Sequence, residues 1–136
     1  AARNAGVITA DEFAVFQNAG YMGLYGGMTV DDIHRKKNLE VGQKILDYMG
    51  STELIANLFR ISQTEEKLRK DGVDSADTAT AVHYKVGSEV REAIEKIGGT
   101  MPEDLPTPEK SIAQLEKEQL QRLKQQALDG QLMLDE

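Results

Sequence analysis

Few residues in this chain have types and spacings that could do chemistry, and each group also has a plainer reading. Ser51, within Gly50-Ser51-Thr52, is a conceivable nucleophile. An elbow-type serine needs Gly-x-Ser-x-Gly, the turn that strains the backbone and presents the hydroxyl, and that pattern is missing. With Glu53 close behind it and an apolar run beyond, Ser51 reads as a helix N-cap. His34 and His83 are the two histidines. With no cysteine and no His-x-x-His or His-Glu spacing, they lack the ligand set of a zinc site and read as surface or helix-end side chains. The glycines from Gly20 to Gly27 invite comparison with a phosphate loop, but such a loop follows a strand and ends in Lys-Ser/Thr, and this one does neither. What remains is a structural turn or an exposed tip on which Tyr21, Leu24 and Tyr25 anchor a partner, since tyrosines on loops serve as contact anchors. Arg35, Lys36 and Lys37 with Lys44 form a basic cluster, read as a solvated helix end or, alternatively, a nucleic-acid contact. No nucleophile, base and orienting group fall together, so neither enzymatic activity nor a cofactor is expected.

Composition sets the wider bounds. A chain of 136 residues, 40% hydrophobic and 29% charged, fits one folded globular domain with a modest core. The absence of cysteine and of any long apolar run gives no disulfide framework and no membrane span, so a cytoplasmic location is expected. A net charge of −7 opposes broad phosphate binding, which draws its energy from lysine and arginine displacing counterions, so direct DNA binding is expected to be weak or absent. The start at Ala1-Ala2-Arg3-Asn4 resembles no secretory or transit signal, and the chain reads as a fragment of something longer.

The elements that must position these residues are helices. Thr9 with Glu12 forms a capping box for a first helix from about Ala10 to Ala19, ended by Gly20 because glycine weakens helix interiors. Thr29 opens a second short helix, with Asp31 and Asp32 in its first turn and Arg35, Lys36 and Lys37 in its last, the polarity the helix dipole favours. A third near Gly42 to Tyr48 is expected to turn Val41, Ile45, Leu46 and Met49 inward. After Ser51, the side chains Leu54, Ile55, Leu58, Phe59, Ile61 and Leu68 span an arc of about 180°, which marks a central helix buried on that face. Asp74 or Ser75 caps a long helix to about Ile97, with Ala79, Val82, Val86, Val90, Ala93, Ile94 and Ile97 on one side. All three prolines fall between Pro102 and Pro108, predicting an extended connector that can hold the last segment away from the bundle. Thr107 and Pro108 are expected to start the last helix, whose apolar side chains Ile112, Leu115, Leu120 and Leu123 need a surface to cover, in a second copy or a partner. The predicted fold is all-α: an irregular bundle of about five to six helices over residues 1–100, a connector over 101–108, and a protruding C-terminal helix with a frayed tail over 109–136.

Longer words in the chain carry a resemblance. Phe16-Gln17-Asn18-Ala19-Gly20-Tyr21-Met22-Gly23-Leu24-Tyr25-Gly26-Gly27, Ile45-Leu46-Asp47-Tyr48-Met49-Gly50-Ser51-Thr52-Glu53-Leu54, Gln63-Thr64-Glu65-Glu66-Lys67-Leu68 and Gly98-Gly99-Thr100-Met101-Pro102-Glu103-Asp104-Leu105-Pro106-Thr107-Pro108 occur in the order found in the bacterial DNA-damage-inducible protein D family. The similarity runs from about residue 5 to residue 112. It lacks the family's N-terminal part, which is similar to the Bro-type domain of phage antirepressors. The resemblance implies a non-enzymatic protein of the SOS response that restrains RecA-type recombinase filaments on DNA, with the recombinase or its filament as partner. The alternative is an antirepressor-like transcriptional regulator that touches nucleic acid.

Overall fold

A computed structural model describes the backbone of residues 2–134 and the side chains of residues 2–130. Among these residues there is no strand. The described residues form five α-helices: α1 (Ala10–Leu24), α2 (Val30–Lys36), α3 (Ser51–Lys70), α4 (Ala76–Ile97) and α5 (Ile112–Leu134), with short 3-10 turns at Arg3–Ala5, Ile45–Tyr48 and Pro102–Asp104. The expected all-α architecture with a protruding last helix is what is found.

Helix starts reflect local chemistry. The Thr9 hydroxyl accepts from Glu12 N while the Glu12 carboxylate accepts from Thr9 N, and Thr29 and Asp32 repeat the arrangement for α2, each satisfying donors that have no intrahelical partner. Ser75 caps α4 through Thr78 N. At α3 the expectation fails: Gly50 is the N-cap, no side chain caps the helix, and Ser51 is its first helical residue. Lys37 closes α2, and Asn38, at φ 56°, takes the left-handed conformation that asparagine tolerates.

The glycines of α1 correct the sequence reading most sharply. Gly20 does not stop the helix, which runs through Gly20 and Gly23 to Leu24. These positions are where α1 crosses α4 with backbones in contact. A Cβ on Gly87 would stand 2.7 Å from Gly20 O and 2.9 Å from Leu24 N, one on Gly23 would collide with the Tyr84 carbonyl, and one on Gly20 would collide with the His83 ring. Packing thus offsets the roughly 1 kcal/mol that each helical glycine costs against alanine.

Two apolar clusters flank this crossing. Tyr21, Leu24, Tyr25, Ile33, Ile45, Met49 and Val90 form the larger one, and Ala5, Val7, Phe16, Leu68 and Ala79 the smaller. Val41, expected inside, is fully exposed, and Ile97 is 83% exposed, because the Val41 segment is an open turn and the apolar face of α4 runs out of neighbours at its C-terminal end.

The proline-rich connector is held to the bundle. Pro102 is buried, Arg91 Nη1 donates to both Glu103 carboxylate oxygens at 2.6 and 2.8 Å, and Lys36 pairs with Asp104. Helix α5 begins four residues later than expected: Ser111, not Thr107, accepts from Gln114 N. The frayed tail expected from Gly130 is not found as far as the backbone is described: α5 runs through Gly130 to Leu134, and the last two residues lie outside the described ones.

Candidate interaction surfaces

Helix α3 is turned over relative to its hydrophobic pattern. Its buried residues are Glu53, Asn57, Arg60, Thr64 and Leu68, whose spacing by three and four residues keeps them on one face. The apolar residues expected there point outward: Ile55 is 66% exposed, Leu58 51% and Phe59 54%. Only Leu68 of the predicted set is fully inside, with Leu54 and Ile61 half-buried.

The reason is a chain of polar partners supplied by other elements. From α2, Lys37 Nζ reaches Glu53 Oε1 at 2.7 Å and also donates to Tyr48 O and Thr107 Oγ1. From α1, the Tyr25 hydroxyl donates to Glu53 Oε2 and accepts from Asn57 Nδ2. Asn57 Oδ1 accepts from Arg60 Nη2 at 2.9 Å. Arg60 Nη1 contacts Nε2 of His83 on α4, and the other ring nitrogen, Nδ1, bonds Phe16 O at 2.8 Å. A carbonyl only accepts, so Nδ1 carries the proton and Nε2 is left to accept from Arg60. The Arg60 guanidinium also lies over the Tyr21 ring, 4.5 Å from its centroid, a favourable cation–π placement.

Burial and charge act on this network in consistent directions. Desolvation, reinforced by the Arg60 charge, pushes His83 down to about 4, which keeps the imidazole neutral. Desolvation, helped by the Glu53 carboxylate it bonds, pushes the Tyr25 phenol up. Burial also lowers Arg60. Because nearly every member is hydrogen-bonded, the network can stand where apolar side chains would otherwise fill the centre.

The predicted site residues separate accordingly. Tyr21, Leu24 and Tyr25 are 8%, 0% and 1% exposed; they continue α1 and its cap into the core, so there is no recognition tip. His83, read as a surface side chain, is buried. His34 does sit at a helix end, bonded to Gln43 O. Lys37 is withdrawn from the basic cluster by Glu53, its side chain only 6% exposed. Arg35 pairs with Asp32 at 2.6 Å and Lys36 with Asp104 at 3.5 Å, while Lys44 is exposed. On α5, Ile112 is half-buried whereas Leu115, Leu120 and Leu123 are 42%, 53% and 55% exposed. Among the described residues, exposed apolar side chains include Ile55, Leu58 and Phe59 on α3 and the α5 stripe, besides Ile8, Phe13 and Val15 at the start of α1. Apolar periodicity alone misses the first; the signal for it is the regular recurrence of Glu53, Asn57, Arg60 and Thr64.

Among the described residues no group of three potential ligands could hold a metal ion, and no helix is long and apolar enough to cross a membrane. No solved structure matches this chain. The chain is 61% identical over 116 residues to a protein of Escherichia coli (strain K12) described as DNA damage-inducible protein D, an alignment covering 85% of this chain and 42% of that protein. It thus spans less than half the length of this relative. The family described as the DinD C-terminal domain matches residues 1–115, which take in the helical bundle, its connector and the start of α5, and the chain belongs to that family.

Proposed function

We propose that this chain is a non-enzymatic module of the bacterial DNA-damage response that docks on RecA-type recombinase filaments and restrains them. Kinship with a DNA damage-inducible protein supports the setting. The observation that carries the mode of action is the exposed Ile55, Leu58 and Phe59 face on α3. The polar network fixes this helix from behind, so the apolar face is rigid and costs little ordering on binding. A net charge of −7 complements the basic surface of a DNA-binding protein and repels DNA itself. The rival reading, an antirepressor-like regulator contacting nucleic acid through Arg35, Lys36 and Lys44, is weaker because carboxylates already pair with the first two. Under this reading the module would act where its recombinase partner does, in the cytoplasm.

Pull-down of the chain with recombinase filaments, beside free single-stranded DNA, tests the reading. Retention by filaments, lost in Leu58→Asp and Phe59→Asp, is expected. Retention by DNA alone would replace it with the regulator.

A further inference from the structure

Arg60 carries a charge that this fold does not balance. Its side chain is 1% exposed, yet its partners are His83 Nε2, Asn57 Oδ1 and the Tyr21 ring, all neutral. The buried carboxylate of Glu53 is taken by Lys37 and Tyr25. Arg60 Nε has no acceptor among the described residues. A buried cation in such surroundings gains strongly from an anion brought within reach.

A pocket of about 160 Å³ opens beside it between α1 and α3, lined by Arg60 and His83 and walled by Phe13, Phe16, Tyr21 and Ile61. That is close to the roughly 150 Å³ of an engineered apolar cavity that admits benzene. His83 cannot serve the anion as a donor, since its one proton is committed to Phe16 O, which leaves the guanidinium as the charged donor. Glu65, exposed, also lines the pocket and is the one acid positioned to oppose an incoming anion.

We propose that this pocket binds a carboxylate carried on an apolar body about the size of a benzene ring, the body seated between Phe16 and Ile61 and the carboxylate turned to Arg60. The ligand is either a free small acid or the C-terminal residue of a peptide, which share this chemistry.

Calorimetric titration of the full chain with 3-phenylpropionate and its neutral amide, 3-phenylpropionamide, tests the assignment, with amide chemical shifts as the second readout. The acid is expected to saturate and to bind at least tenfold more tightly than the amide, with shifts at Phe16, Tyr21 and Arg60. Ile61→Trp, which fills the pocket while keeping Arg60 and each of its partners in the chain, abolishes binding while the helical circular dichroism is retained. Glu65→Gln removes the opposing charge and tightens binding. N-acetylphenylalanine binding more tightly than 3-phenylpropionate identifies a peptide terminus as the source, and the reverse order a free acid. Equal affinity for acid and amide, no binding of either acid, or unchanged affinity in Ile61→Trp overturns the proposal.

Discussion

His83 holds the contact between α1, α3 and α4 only while it is neutral, which makes acid the condition that attacks this fold. The group binds its proton near 6.5 when unfolded and near 4 when folded. Between these values the unfolded chain holds more protons, so stability falls as pH drops from about 6.5 to about 4 and is unaffected by this group above that window. The loss amounts to roughly 3 kcal/mol for a shift of this size. Urea denaturation at pH 7 and pH 4.5 should show it, and His83→Gln should remove most of the difference while lowering stability at pH 7. Lys37 and Glu53 give a second residue-scale expectation. Lys37→Met leaves a carboxylate buried without its counter-charge and should cost about 3–5 kcal/mol, whereas Lys37→Met with Glu53→Gln should recover most of that. Additive losses in denaturation would show that the two residues act separately.

Helix α3 shows where sequence reading succeeds and where it stops. Its existence and its end near Gly72 are legible in local signals, as are the capping box of α1, the Thr29 start of α2 and the Ser75 cap of α4, because caps are made by residues a few positions apart; its start is displaced by one residue, Gly50 and not Ser51 being the cap. Which face turns inward is decided by Lys37, Tyr25 and His83, residues distant in sequence. Apolar periodicity cannot register such partners. The continuation of α1 is hidden for the same reason: Gly20 and Gly23 weaken a helix in isolation and are required because α4 comes so close, with the His83 ring against Gly20 and the Tyr84 carbonyl against Gly23. Two variants probe this scale. Leu58→Ala, at 51% exposure, should cost less than about 1 kcal/mol instead of the ~2–5 of a core leucine, while weakening filament retention. Gly87→Ala should destabilise by about 1–3 kcal/mol through overpacking, despite alanine's better helix propensity. Denaturation of both variants checks this, and a stabilised Gly87→Ala would mean that the helices do not touch at Gly20 and Leu24.

The molecule as a whole consists of a bundle with its connector tied down and a last helix that gains little from it. The bundle and connector hold each other through Arg91 and Glu103 and through Lys37 and Thr107, while α5 keeps Leu115, Leu120 and Leu123 largely in solvent. A chain ending at Lys110 should therefore unfold at the same denaturant midpoint as the full chain, and light scattering should show self-association in the full chain alone if a second copy covers the α5 stripe. A lower midpoint in the shortened chain would make α5 part of the bundle. The turned-over α3 has a calorimetric consequence as well. Exposure of apolar surface raises the heat capacity on unfolding, and exposure of polar surface lowers it. A fold that buries Glu53, Asn57, Arg60 and Thr64 at its centre while leaving Ile55, Leu58 and Phe59 wet should show a heat-capacity increment below the usual ~12–15 cal/mol/K per residue. Its stability curve is then broad and shallow, holding the bundle nearly constant in strength across a wide span of temperature.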